Sequence, residues 1–420
     1  MKISLVLLWV LAIVACQDNT ESLDVSVNDD YNAINLIDKT ITPEKAAVLA
    51  QVFRTDLLSQ PSSTRASEAS KGVSTVYAWR SEEIGRQSAT RSTVLSTLPD
   101  TLLYIVNFED SCGYALVSAN QLIPGVVAYI EEGTLTPNTE IDNPGFQLFL
   151  DGYRDYVEEI QNRGGGVIPP SPVPWRLVYN VPPLLHTRWH QQAPYNNYCF
   201  TSDGQQAVAG CGAIATGQVV GYHRYPSTFV NHTYNWDAIM QYDSIPSTDI
   251  TACNSVAEVI HDIGVLIGTD YGVNGSGSQF DSIANCLNAY NYHYLLDHND
   301  AVFDSIRADI DNGYPVIMKG TRYVTENGVV KPYGHAWVVD GVAIKGFILA
   351  VIEIPPQAYM SYEYYIHCNW GWRNNDNSGY YIIGAFENKY NLNDLTYEGG
   401  QYAFNSYMYT YRHIYPNNSN

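Results

Sequence analysis

Ala209-Gly210-Cys211-Gly212-Ala213-Ile214-Ala215-Thr216 is the stretch on which the reading of this chain turns. One thiol is flanked by small residues, and a helix-compatible run continues to Tyr222. A cysteine that opens a helix feels the positive end of the macrodipole and the N–H groups that lack intrahelical partners. Both favour thiolate, the nucleophilic form. Position alone does not make the residue reactive, because most buried cysteines are inert small hydrophobes. A base has to be found.

His335 lies in Tyr333-Gly334-His335-Ala336-Trp337-Val338-Val339-Asp340-Gly341, a loop running into an apolar strand. The preceding glycine leaves room for substrate backbone. Its rivals are weaker. His223 follows Cys211 by twelve residues, so on a shared helix it stands about 18 Å away along the axis. His367 starts no glycine-flanked loop. The imidazole then needs an orienting partner. Asp340 follows by five, and on one strand an odd offset puts the two side chains on opposite faces, roughly 17 Å apart. Asn369, in His367-Cys368-Asn369-Trp370-Gly371-Trp372, ends a strand expected over 362–368 and can lie beside the first. Trp370 and Trp372 either shield that hydrogen bond or pack a core. An acyl-transfer site also needs oxyanion donors. The Cys211 N–H is one, and Gln191 can offer its amide, although alone it reads more readily as a surface residue.

These pieces, in this order, resemble the streptopain family of papain-like cysteine peptidases. The likeness rests on Gln191 with Pro194-Tyr195-Asn196, Gly210-Cys211 leading to Ala215-Thr216, and Tyr222-His223 with Tyr225-Pro226. It continues through Asp262-Ile263-Gly264, Gly275-Ser276-Gly277-Ser278, Gly334-His335-Ala336-Trp337 and Asn369-Trp370-Gly371-Trp372. Upstream, Tyr104-Ile105-Val106-Asn107-Phe108 and Gly113-Tyr114-Ala115-Leu116-Val117-Ser118-Ala119 look like the family's propeptide. The resemblance implies an α+β, two-lobed papain-like fold, with Cys211 in a helical lobe and His335 in an antiparallel β lobe. A small α+β propeptide domain precedes it. The resemblance also implies Cys211 as nucleophile, His335 as base and acid, Asn369 as orienter and Gln191 as oxyanion donor. Trp370 becomes a shield and Gly334 offers backbone to substrate. No metal or organic cofactor is implied. Gly212 and Gly217 depart from the pattern, and each is expected to cost the catalytic helix roughly 0.5–1 kcal/mol against alanine.

Outward from this site, the chain divides. Lys2 followed by the apolar run Ile3–Ala15 is an export signal, too short to span a bilayer as an anchor. Its end, Ile13-Val14-Ala15-Cys16, resembles a bacterial lipobox. The expected organisation is a signal over 1–16, a tether over 17–40, a propeptide over 41–162, a linker over 163–174 and a peptidase domain over 175–420. Three glycines and four prolines in the linker preclude regular structure, and such segments are where chains are nicked. Helices are expected from Thr42-Pro43-Glu44 and over 146–160, 211–222 and 255–268. Strands are expected over 102–108, 114–118, 126–130, 336–342, 347–354, 362–368 and 379–383.

The net charge of −21 disfavours nucleic acid and anionic lipid as partners. The acidic surface suggests basic substrates. Seven cysteines include no CxxC pair, which argues against a zinc site or a disulfide framework. The expected partners are polypeptide substrates and the chain's own propeptide, with the membrane reached only through a lipid on Cys16. A surface lipoprotein that binds polypeptide or glycan without chemistry is the rival from another class. Another Cys–His acyl-transfer enzyme is a weaker one.

Overall fold

A computed structural model describes residues 40–59, 66–81, 83–84, 100–121, 123, 125–162, 175–298, 302–326, 329–351, 357–373, 377–386 and 408–417. The segments expected to be the export signal with Cys16, nearly all of the tether, and the linker lie outside the described residues. Residues from Thr40 onward form one compact unit.

The first helix, α1 (Pro43–Leu58), begins as its residues dictate: the Thr42 side chain accepts from the Lys45 N–H at 3.3 Å, and Pro43 takes the first turn. Ala46, Ala50, Phe53 and Leu57 recur on one face and are buried. They pack over the antiparallel strands β1 (Val73–Arg80), β2 (Thr101–Phe108), β3 (Tyr114–Ser118) and β4 (Val126–Ile130). Replacing Phe53 by alanine should cost about 3–5 kcal/mol in lost contact and cavity. Helix α2 (Pro144–Asn162) and strand β5 (Arg176–Val181) follow.

The helical lobe holds α3 (Cys211–His223), the short hairpin β6 (Thr228–Phe229) and β7 (His232–Thr233), α4 (Trp236–Ile239), α5 (Ile250–Leu266) and α6 (Ile283–Ala289). The β lobe comprises β8 (Tyr292–His298), α7 (Phe303–Asp311), β9 (Val316–Glu326), β10 (Val329–Val351), β11 (Gln357–Asn369), β12 (Gly379–Ile382) and β13 (Tyr409–Pro416). The two strands expected over 336–342 and 347–354 are one strand, β10. No break occurs between them because β11 pairs with β10 from Val338 to Val351, and β5 pairs with it from Val342 to Gly346.

One sheet joins the N-terminal domain to the β lobe. Its order is β1-β2-β3-β4-β12-β11-β10-β9-β13-β8, and the junction pairs Gly379 with Ile130, Tyr380 with Tyr129 and Tyr381 with Ala128. Alternation along β10 feeds two cores. Trp337 and Val339 face the core shared with the N-terminal domain, whereas Ala336 and Val338 face the helical lobe. The expectation that Gly217 weakens the catalytic helix needs correction. A Cβ there would lie 2.4 Å from Ile260 Cδ1 and 3.3 Å from Trp189, so the glycine lets α3 and α5 pack closely.

Candidate active site

Cys211 is the first residue of α3, and Gly210 at the N-cap offers no side-chain hydrogen bond. The helix's leading N–H groups therefore stay available beside the thiol. Burial pushes the Cys211 thiol up. Hydrogen bonding and charge from His335, the Ala336 N–H and the Lys319 ammonium outweigh that and hold it below its ordinary value. A thiol whose pKa is lowered at a helix start favours its nucleophilic thiolate form.

His335 is 2% exposed. Its Nε2 stands 2.7 Å from the backbone carbonyl of Trp370. A carbonyl only accepts, so Nε2 carries the hydrogen and Nδ1 is left for the thiol. Aromatic rings fix the imidazole on three sides. Trp337 stacks at 6.4 Å and 10°, Trp370 is tilted at 6.3 Å, and Trp372 meets it edge-on at 6.1 Å. Trp370 also donates from Nε1 to the Asn377 carbonyl at 3.1 Å. It thus packs the core and covers the histidine at once.

Asn369 departs from expectation. Its side chain does not bond His335: Nδ2 donates to the Thr187 carbonyl at 2.7 Å and to Gln218 Oε1 at 3.1 Å. Its Oδ1 accepts from Gln218 Nε2 at 3.2 Å and from the Gly371 N–H at 3.3 Å. The reason is positional. β11 ends at Asn369, and the following carbonyl rather than the side chain reaches the imidazole. Gln218 was not singled out from the sequence, although a fully buried amide two turns after Cys211 in an apolar helix was a signal. It also accepts from Thr187 Oγ1 at 3.0 Å.

Gln191 is buried, contrary to the surface reading, and its carbonyl accepts from Ala209, two residues before the thiol, at 2.9 Å. Gly334 is exposed on β10 opposite Thr321. The rejected histidines are engaged elsewhere. His223 Nε2 contacts the Ile414 carbonyl at 2.9 Å. His367 Nδ1 lies 2.6 Å from Asp340 Oδ1, and its Nε2 faces Glu131 of the N-terminal domain at 3.9 Å. Burial pushes His367 down, but the Asp340 and Glu131 carboxylates outweigh it and raise it to about 10. Asp340, excluded as the partner of His335, is thus the partner of His367.

The N-terminal domain touches the site directly. Asn143 Oδ1 caps α2, accepting from Gly145 at 2.9 Å and Phe146 at 3.2 Å. A Cβ on Gly145 would stand 2.2 Å from Trp370 Cε3 and 2.8 Å from His335 Cδ2. The start of α2 is therefore pressed against His335 and its tryptophan cover. Further out, Asp56 of α1 holds β5 through Arg176 at 2.8 Å and the Leu177 N–H at 3.1 Å.

A thiol at a helix start, an imidazole within the facing strand β10 rather than in the loop expected before it, and a small α+β domain laid over both define a papain-like cysteine peptidase with its propeptide in place. Residues 189–381 match the model of the Peptidase C10 family, and residues 38–157 match that of the Spi protease inhibitor family. Streptopain of Streptococcus pyogenes serotype M28 is 21% identical over 342 residues, covering 73% of this chain and 79% of that protein. The thiol protease/hemagglutinin PrtT of Porphyromonas gingivalis is 23% identical over 326 residues, which is 67% of this chain and 34% of that longer protein. Among solved structures, a prointerpain A fragment of Prevotella intermedia shares the fold with a TM-score of 0.53 and 24% identity, over 76% of this chain and 97% of that one.

Proposed function

We propose that the chain is an exported cysteine endopeptidase made as a zymogen, in which Cys211 forms a thioester acyl-enzyme. The observation that carries this reading is a thiol at the start of α3 with its pKa drawn below the ordinary value by His335, whose Nε2 is held by the Trp370 carbonyl. The thiolate attacks a peptide carbonyl, and the oxyanion is received by the Cys211 N–H and the Gln191 amide. His335 Nδ1 delivers its proton to the leaving amine. It then takes a proton from water, whose oxygen attacks the thioester and releases the acid and the thiolate. Trp370 has two parts in this reading: its carbonyl fixes the imidazole and its ring keeps water from that bond. Gly334 lends backbone to the substrate. Asn369 acts as a positioning residue, holding the Trp370 carbonyl through Gln218 and Thr187.

Cutting within residues 163–174 frees residues 175–420 from the inhibitory propeptide, whose α2 blocks approach to His335. Lipid on Cys16 holds the precursor at the cell surface until that cut. A gel time course of residues 17–420 in reductant, wild type beside Cys211→Ala, tests the assignment. Conversion of wild type alone to a stable fragment starting near residue 175 is expected. Peptide cleavage by Cys211→Ala after the linker is cut by an outside protease would sink it. Silence of both proteins after such a cut would leave the non-catalytic binding lipoprotein. Metabolic labelling with palmitate, lost in Cys16→Ser, tests the anchor.

A further inference from the structure

Lys319 is the one charged residue in the apolar run Val316-Ile317-Met318-Lys319. Its position on β9 is opposite Ala336 on β10. Cross-strand partners share a face, so Lys319 projects toward the helical lobe, as Ala336 does, and away from the propeptide core that holds Trp337. On that side its Nζ stands 5.5 Å from the Phe280 ring centroid. A Cβ on Gly334 would lie 3.3 Å from its Cε. The ammonium is half-buried, and among the described residues it makes no ion pair. Burial lowers its pKa, while the nearby Cys211 and Asp281 raise it. An unpaired, partly desolvated cation beside the nucleophile, under the glycine that borders the cleft, is costly unless something completes it.

We infer that Lys319 is a specificity-determining residue that receives the carboxylate of an acidic substrate side chain, on the second residue before the scissile bond. The inference rests on the cysteine-peptidase reading. Once the scissile carbonyl is at Cys211, the acyl side of an extended substrate runs past Gly334. The residue next to the scissile one then lies over Gly334 with its side chain against Lys319 and Phe280. The phenyl ring accommodates the methylenes of a glutamate, and the ammonium meets its carboxylate. The acidic surface as a whole works the other way. Its repulsion is screened within about 8 Å at physiological salt, whereas a contact inside the cleft is screened much less. The local cation therefore decides.

The test uses full-length protein activated by a linker cut and two otherwise identical peptides, with glutamate or glutamine at that second position. Cleavage of the glutamine peptide by wild type, absent in Cys211→Ala, carries the peptidase reading by itself. The ratio of kcat/KM for glutamate over glutamine carries this inference. A ratio of about tenfold in wild type is expected, kept in Lys319→Arg, near one in Lys319→Met and below one in Lys319→Glu. Each ratio is internal to one protein, so a general loss of rate in a variant does not blur it. A wild-type ratio at or below one overturns the inference, and wild type alone supplies that result should the variants fold poorly. A ratio unchanged in Lys319→Met, with only the pH profile of Cys211 displaced, would also overturn it and leave Lys319 as a group that acts on the thiolate.

Discussion

His335 gives its Nε2 hydrogen to the backbone carbonyl of Trp370, 2.7 Å away. The group that steadies the imidazolium is thus main chain and cannot be removed by substitution. What can be altered is the frame that holds it. Asn369 and Gln218 pair amide to amide and tie the end of β11 to the helix that carries Cys211. Asn369→Ala and Gln218→Ala should each cost about 1–3 kcal/mol, because the other member is left buried and unsatisfied. The double variant should lose less than the sum, with a coupling of about 0.5–3 kcal/mol. Denaturant titration of the three variants checks this, and strict additivity would remove the frame from the account.

The thiol of Cys211 sits below its ordinary pKa because His335, the Ala336 N–H and Lys319 outweigh the effect of burial. A depressed thiol stays ionised as pH falls. Alkylation of the activated protein by iodoacetamide should therefore persist to lower pH than that of an ordinary thiol. In His335→Ala the burial remains and its largest opponent is gone, so the midpoint should rise above that of wild type. Mass spectrometry assigns the label. Cys199 is pushed up to about 11 by burial, and burial also raises Cys286 and Cys368, so these three should stay unlabelled. Equal midpoints in the two proteins would contradict the part given to His335 in lowering the thiol's pKa.

Gly145 is the tightest point between propeptide and site. A methyl there has nowhere to go but into Trp370 and His335. Overpacking of this kind costs about 1–3 kcal/mol. Excised propeptide carrying Gly145→Ala, added back to active enzyme, should inhibit with an inhibition constant about tenfold or more higher than the native domain. An unchanged constant would mean that α2 does not press on the site when it inhibits.

His367 carries a pH signature for the zymogen. Its folded pKa is raised to about 10, above an unfolded value of about 6.5. The charged ring's contribution is therefore complete below about pH 6.5 and is lost as pH rises toward 10. Precursor melting temperature should fall over that window. Asp340→Asn should flatten the slope and lower stability at neutral pH by about 3 kcal/mol, as breaking a buried pair does. Glu131→Gln should loosen the propeptide while changing the mature domain not at all. A melting temperature independent of pH between 6.5 and 10 would refute the assignment.

Much of this was legible in local patterns. Thr42-Pro43 announced α1, and short apolar runs marked β2, β3 and β4 to within a residue. The dismissal of Asp340 as the partner of His335 followed from strand alternation, and the two do share β10. Other features are set by tertiary neighbours. β1 reads Val-Ser-Thr-Val-Tyr-Ala-Trp-Arg and shows only one strongly buried position, Trp79, so its pattern is faint. β10 runs unbroken because partners flank it, which no local window records. Asn369 was singled out for its side chain, whereas the hydrogen bond comes from the next carbonyl, and backbone direction leaves no mark in residue identity. Gln218 and Lys319 did leave one, each a polar residue interrupting an apolar run.

The pairing of β4 with β12 has a consequence for how the molecule is made. β4 ends at Ile130, and β12 begins at Gly379, almost 250 residues later. Ribosomes deliver the N-terminal domain first, so a finished edge of backbone donors and acceptors is in place before its mate exists. The late strand needs only to add itself to a template, which spares it a search among free segments at high entropic cost. Removing residues 41–162 after folding takes the template away and leaves the Tyr380–Tyr381 edge uncovered, a surface prone to joining other strands. The mature enzyme would then persist by slowness of unfolding, and once unfolded it would lack the mould that shaped it.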